Sequence, residues 1–466
     1  MNKIFKLYFL VPLILFSIHI PVQAQDELDS GPVYQVQAGD TLWGISRTFN
    51  VPIDDLVELN SISDPSRLTI GTQLIIPGLE GLEGTLAIKS VPFGESFQSL
   101  SRRYQMPFLG MARLNRYTTP DSAAAGSSLI ALDLENESNP LTGGRAAIQS
   151  GVSLFETAIA IDSSHWVVAA ENGIFGVRDT IPGDVLYYSG SNDSGPGALP
   201  EMVSGVQIDQ TPLVQGKTAV YHVTSNDNIS IKGNLIDYEL HFSPYENGYV
   251  ALQGVHAMIE PGYYPSTISI ILDDGSEFEF SQQVFVESGN YEFDPPLVVN
   301  SETIDIENTQ PEDLEWFSIV EPFTEVRMWE GKFSAPVPEY LEACYPSTFG
   351  KRRSYNGSAY NFFHTGLDFC GTRGVEIYAP APGRVIFTDE LIVRGFATVI
   401  DHGWGVYTAY AHQSKVLINI GEMVDKGQLI GLIGDSGRVT GPHLHWEVIV
   451  GGVQIDPLDW LSGDYP

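Results

Sequence analysis

The sequence predicts a multidomain, mainly β protein. Small α+β modules of βααβ order stand near the N-terminus, a β-sandwich-like region occupies the middle, and an antiparallel β domain closes the chain. Three observations carry this reading. At 466 residues the chain is longer than one ordinary hydrophobic core serves. Its 46 glycines and 29 prolines separate many short apolar or alternating runs, the pattern of strands joined by turns. Only near the N-terminus does the apolar spacing change to that of short helices.

With 58 acidic against 24 basic residues the formal charge is -34. Such a balance argues against nucleic acid or an anionic membrane as the main partner and reads as a solubility feature. The chain opens with the basic "MNKIFK", runs through the apolar "LYFLVPLILFSIHI" and reaches "VQA" before Gln25. This pattern predicts a signal peptide over residues 1–24, cleaved after Ala24. The apolar run is shorter than the roughly 20 residues of a membrane span, and no later segment reaches that length. The expectation is a secreted, extracytoplasmic or wall-associated protein with no transmembrane anchor after cleavage.

Residues 34–77 read as strand, helix, helix and strand. "YQV" alternates, Asp40 or Thr41 can cap a helix carrying Leu42, Ile45 and Phe49, Pro52 opens a second helix through Leu56 and Leu59, and "QLIIP" closes the segment. "GDTLWGIS", Asn60 and "LTIGTQLIIP" resemble a LysM module, assigned to residues 32–78. The resemblance implies binding of N-acetylglucosamine-containing glycan such as peptidoglycan. Its groove would lie between Gly39, Asp40, Thr41 and Leu42 on one loop and Asn60 and Ile62 on the other. Read from the residues alone, Asp40 and Thr41 serve equally as helix caps.

"GDTLWGISRTFNVP" at 39–52 recurs, diverged, as "GESFQSLSRRYQMP" at 94–107. Residues 86–133 are therefore expected to form a second LysM-like module, with Glu95 replacing Asp40 and Gln98 replacing Trp43. A polar linker around 135–144 leads into residues 145–205, expected to be β-rich and left unassigned. "TAVYHV", "ISIKGNLIDYELHF", "YVALQGVHAMI" and "STISIILDD" predict a β-sandwich-like spacer domain over 206–325. "PLVQGKTAVYHV" and "VALQGVHAMIEPGYYPSTISII" resemble the β-rich domain that precedes the catalytic domain in some long bacterial wall peptidases. His165, His222, His241 and His256 lack ligand spacing and receive no function.

Five of the 10 histidines fall between 364 and 445. "HTGLDF" sets His364 four residues before Asp368, "YAH" places His412 after Tyr410, and "HLH" separates His443 from His445 by two. On a strand, residues i and i+2 share a face, so His443 and His445 can enter one cavity while Leu444 packs behind. Histidine nitrogen and aspartate oxygen suit zinc, which keeps an open position for water in catalytic sites.

"FGKRR", "HTGLDF", "VIDHGWGVYTAYAH", "GDSG" and "TGPHLHWEV" together resemble the lysostaphin and LytM family of zinc metallopeptidases, over a domain placed at residues 337–466. The resemblance implies that His364, Asp368 and His445 hold one Zn2+ and that His412 and His443 are catalytic. His402 in "VIDHG" stays outside the site. Cys344 and Cys370 leave open a disulfide, two free thiols, or a thiolate ligand at Cys370. The expected function is a secreted peptidoglycan hydrolase that cleaves stem or cross-bridge peptides by zinc-activated water. The alternative is a noncatalytic wall-binding regulator or activator of other wall hydrolases.

Overall fold

The computed structural model describes residues 31–466 apart from 80–81, 105, 120–121, 134–142, 150, 177–179, 182, 190–192, 194, 226 and 273–274. The expected signal peptide lies outside the described residues, as does most of the polar linker. The chain divides into a unit ending at Leu86 and a second running from Ala87 to Pro466.

In the first unit, β1 (Val33–Gln35) and β2 (Gln73–Ile75) pair antiparallel around helices α1 (Leu42–Phe49) and α2 (Ile53–Leu59). Thr41 caps α1 by accepting from the Gly44 amide at 3.0 Å. Leu42, Ile45 and Phe49 form the buried face of that helix. The Asn60 carboxamide then stitches the helices to the strand. Its Nδ2 donates to the carbonyls of Leu56 and Ile75, and its Oδ1 accepts from the Ile75 amide at 2.7 Å.

The same order recurs in β3 (Thr85–Ser90), which spans the division, and in α3 (Phe97–Arg103), α4 (Phe108–Asn115) and β4 (Ser128–Leu132) of the second unit. Asn115 makes the same three bonds, to Met111 and to both backbone groups of Ile130.

Residues 145–205 correct the β-rich expectation. They hold β5 (Gly144–Ala147), α5 (Leu154–Ala160), α6 (His165–Glu171) and β6 (Val185–Tyr188), with β5 and β6 antiparallel. Asn172 bonds Val168 and both backbone groups of Tyr187, a third instance of the pattern. Each helix has only seven residues, and apolar Phe155, Ile159, Trp166 and Val167 lie on the exposed side, which blurs the helical period in runs such as "HWVVAAE".

The sandwich comprises β7 (Val203–Asp209), β8 (Leu213–Val214), β9 (Thr218–Ser225), β10 (Ile231–Leu235), β11 (Tyr238–Leu240), β12 (Ser243–Tyr245), β13 (Gly248–Gly254), β14 (Gly262–Ile271) and β15 (Glu277–Glu287). They form a five-stranded sheet, β11-β10-β14-β15-β8, and a four-stranded sheet, β12-β13-β9-β7.

Two corrections to the expected 206–325 spacer follow. The sandwich strands end at Glu287, and α7 (Ile306–Val320) packs Trp316 and Val320 into a cluster with Phe387, Val399 and Tyr407 of the C-terminal domain. Nor is the sandwich a loose spacer. Val220, Val250 and Leu252 belong to one buried cluster with Val448, Ile455 and Trp460, and Lys217 pairs with Asp456 and Asp459 at 3.1 and 2.6 Å. Surface complementarity of this kind depends on the assembled fold and leaves no local pattern in sequence.

The C-terminal domain contains β16 (Arg352–Arg353), β17 (Phe362–Phe363), β18 (Leu367–Cys370), β19 (Glu376–Tyr378), β20 (Gly383–Leu391), β21 (Gly395–Gly403), β22 (Val406–Val416), β23 (Met423–Val424), β24 (Leu429–Ile433), β25 (His443–Val450), β26 (Val453–Ile455) and α8 (Pro457–Ser462). Its main sheet follows the order β18-β25-β22-β21-β20-β23. This order sets β25 between β18 and β22, where the site forms.

Candidate metal centre and its cleft

β25 runs antiparallel to both neighbours, so His445 faces Asp368 across one ladder and Ala411 across the other. Strand alternation puts His443, His445 and Glu447 on one face of β25. His364, just after β17, completes a buried cluster. Its Nε2 lies 2.9 Å from Asp368 Oδ1 and 3.0 Å from His445 Nδ1, and His445 Nδ1 lies 2.9 Å from the same Oδ1. Among the described residues, these three form the group able to hold a metal ion.

Their outer contacts settle which atoms face inward. His364 Nδ1 is 2.8 Å from the Thr348 carbonyl, which can only accept, so Nδ1 carries the proton and Nε2 turns its lone pair to the cluster. His445 Nε2 donates to Glu447 Oε1 at 3.1 Å, which leaves Nδ1 facing inward. Glu447 also accepts from Thr365 Oγ1 at 2.6 Å. Two imidazole lone pairs and one carboxylate oxygen thus converge in a buried spot, a donor set and outer-shell arrangement that fit zinc.

The electrostatics of the cluster favour positive charge at that spot. Burial alone would raise the Asp368 carboxyl, yet His364 and His445 hold it well below the usual carboxylate range. Burial likewise opposes charge on His445, but hydrogen bonds to Asp368 and Glu447 outweigh it and raise the imidazole to about 9, so a metal ion at this spot would displace a proton from Nδ1 to reach its lone pair.

His412 reaches the cleft through a backbone irregularity. The β21–β22 register shifts between Phe396 and Thr398, and His412 adopts φ 63°, left-handed for a non-glycine residue. Its Nδ1 donates to the Ser436 carbonyl at 2.9 Å, and its ring centre lies 5.0 Å from that of His443. Burial, with His445 and His443 nearby, pushes His412 well down. His443 Nδ1 donates to the Gly441 carbonyl at 2.8 Å, with Nε2 3.6 Å from Asp368 Oδ1. Both catalytic candidates therefore spend Nδ1 on backbone and keep Nε2 available. His402 lies elsewhere, buried between the Pro382 carbonyl and Thr408 Oγ1 at 2.7 and 2.8 Å.

A cleft of about 1190 Å³ opens over Asp368, His412, His443 and His445, with Leu297 and Leu314 among its lining residues. The sandwich adds His256 and Met258, so one of the histidines left without function borders the cleft. Cys344 and Cys370 form a disulfide with Cα atoms 5.5 Å apart. It holds residues 344–348 beside β18, where the Asp368 amide donates to the Ser347 carbonyl at 2.9 Å. The same segment presents the Thr348 carbonyl to His364.

Sequence reasoning passed over Glu447 and Thr365. Glu447 had a signal, since it continues the period-two series His443, His445. In the first unit the six glycan candidates divide. Gly39 and Thr41 are exposed, Ile62 and Asp40 are half-buried, and Asp40 Oδ2 accepts from Tyr34 and from the Gln37 amide at 2.9 and 2.7 Å. Leu42 is buried and the Asn60 side chain is committed to its own backbone bonds, so neither presents its side chain to a groove.

Residues 362–457 match the model of peptidase family M23, and residues 34–77 match the LysM domain. The chain carries an M23 peptidase domain and a LysM domain. Over 112 residues it is 40% identical to the peptidoglycan DD-endopeptidase ShyA of Vibrio cholerae, covering 24% of this chain and 26% of that protein. Over 97 residues it is 35% identical to the murein hydrolase activator EnvC of Escherichia coli, covering 21% and 23%. A crystal structure of a peptidase M23 from Pseudomonas aeruginosa aligns at 22% identity with a TM-score of 0.41, over 55% of this chain and 97% of that one. The chain thus spans about a quarter of the length of the curated relatives it matches. The M23 match takes in His364, Asp368, His412, His443, His445 and Glu447.

Proposed function

We propose that the protein is a peptidoglycan hydrolase acting outside the cytoplasm. Its LysM domain holds N-acetylglucosamine-containing glycan while the M23 domain hydrolyses stem or cross-bridge peptide bonds. One observation carries the reading: the inward lone pairs of His364 and His445 and the Asp368 oxygen meet within 3.0 Å in a buried, open-topped cluster. The ShyA likeness supports the substrate class, and the N-terminal "MNKIFK" with its apolar run supports export.

His364, Asp368 and His445 would hold one zinc ion. Bound zinc supplies a Lewis acid that polarises a carbonyl and brings the pKa of water to about 7. The remaining work belongs to the chain. Glu447 fixes the His445 tautomer. His412 and His443, each anchored through Nδ1, can take a proton at Nε2 and return it to the departing amine, or hydrogen-bond the carbonyl oxygen as charge develops. The cleft walls orient the peptide and shed water.

The likeness to EnvC supports a second reading, a noncatalytic activator, which the intact ligand-type cluster disfavours. Digesting purified peptidoglycan with the full-length protein separates the two. The expected result is fragments with new amines, identified by mass spectrometry, lost with a chelator, restored by zinc and absent with His445→Ala. Untouched peptidoglycan after treatment with zinc-loaded protein would overturn the hydrolase reading.

A further inference from the structure

The LysM domain and the described residues between 144 and 188 share one backbone design, with equivalent positions at a constant spacing. Left-handed positions coincide: Gly39, Asn50, Ser61 and Gly71 at φ 92°, 54°, 51° and 86° answer to Gly151, Asp162, Gly173 and Gly183 at 82°, 51°, 64° and 91°. The cap coincides too, Thr41 with Ser153, whose Oγ accepts from the Glu156 amide. So does the stitching asparagine, Asn60 with Asn172, each bonding both backbone groups of a residue 15 positions on. Ile62 and Ile174, following those asparagines, are both half-buried.

What the two modules show to solvent also agrees. Gly151 and Ser153 are exposed like Gly39 and Thr41. Phe155, 56% exposed, stands where the LysM domain has Trp43, 60% exposed. Phe155 leads a chain of rings, with His165 at 5.3 Å and Trp166 at 4.6 Å beyond it. Clustered exposed aromatic rings mark binding surfaces, and their flat faces suit the C–H face of a sugar ring.

The module at 86–133 differs in the decisive loop. The Gly94 amide donates to Gln282 Oε1 and its carbonyl accepts from the Ala198 amide, both at 2.9 Å. Glu95 is 2% exposed, bonded to Ser99 and paired with Arg103 at 2.5 Å. The edge that would meet a sugar is walled over by the sandwich and by residues 195–199.

We infer that residues 144–188 form a second working glycan-binding site, on the loops at Gly151–Phe155 and Gly173–Ile174, and that residues 86–133 serve as a bracket without sugar contact. Its ligand is an N-acetylglucosamine-containing strand. The inference rests on glycan binding by the LysM domain. Two sites on one chain raise retention on the wall through effective concentration, so each can be weak.

The test labels the full-length protein with an N-acetylglucosamine pentamer carrying a photoreactive diazirine and maps the adducts by mass spectrometry. Adducts are expected on peptides at 39–43 and 151–155, with none at 94–98. Phe155→Ala, which leaves the core untouched, should cut labelling at 151–155 about tenfold and spare 39–43. Adducts at 39–43 alone would overturn the inference while leaving LysM docking intact. No adducts at either place would overturn both.

Discussion

His445 and Glu447, two positions apart on one face of β25, are joined by an Nε2–H···Oε1 hydrogen bond of 3.1 Å inside the protein. The carboxylate decides which imidazole nitrogen looks toward Asp368. Outer-shell partners of this kind tune a metal site as strongly as some ligands do.

Glu447→Gln should therefore weaken zinc binding by about 10- to 100-fold without removing a ligand. Competition with a chromophoric chelator measures it. Affinity equal to that of the parent protein would show that the carboxylate charge is immaterial.

The disulfide closes a loop of sequence separation 26, for which chain entropy gives about 3.5 kcal/mol. The Cys344→Ser, Cys370→Ser double variant should lose stability of that order in urea unfolding. It should also bind zinc less tightly, since residues 344–348 present the Thr348 carbonyl to His364. Lost stability with unchanged zinc affinity would separate the bridge from the site.

Burial lowers His402 from its ordinary value near 6.5 to about 4. The native state keeps it neutral, while the unfolded chain takes up a proton below 6.5. Stability is thus full above about pH 6.5 and falls as pH drops toward 4, by about 3 kcal/mol from this group. Denaturation midpoints between pH 4.5 and 7 should fall less steeply for His402→Gln. Parallel profiles would assign the acid sensitivity to other groups.

Asn172 makes three bonds from a buried position. Asn172→Ala should strip partners from Val168 and Tyr187 and cost about 2–3 kcal/mol locally. Hydrogen exchange at residues 185–188 should quicken, while exchange in β2 stays unchanged.

How much of this was legible in the sequence follows from where each determinant resides. "HTGLDF" and "HLHWEV" are local words: the spacing of two puts His443 and His445 on one strand face, but it is the resemblance to a known family that groups His364 and Asp368 with His445, three side chains that the fold brings within 3.0 Å of one another. The aim of His412 was not legible, because it depends on a left-handed residue at a register shift. The LysM motif stood out through "GDTLWGIS", whereas residues 144–188 keep the same bends with "GVSLFETA" and one asparagine. Backbone conformation is retained there by glycine, aspartate and asparagine positions rather than by a recognisable word. The seating of the sandwich against the C-terminal sheet involves Val220, Val250 and Leu252 on one side and Val448 and Ile455 on the other, residues that read as ordinary strand interiors when taken singly.

That seating bears on how the molecule can be handled. A fragment starting at residue 337 would bare the apolar patch that Val220, Val250 and Leu252 now cover and would strand Asp456 and Asp459 without Lys217. The smallest piece that melts as a single cooperative body should begin before β7, with sandwich and peptidase lost together on heating.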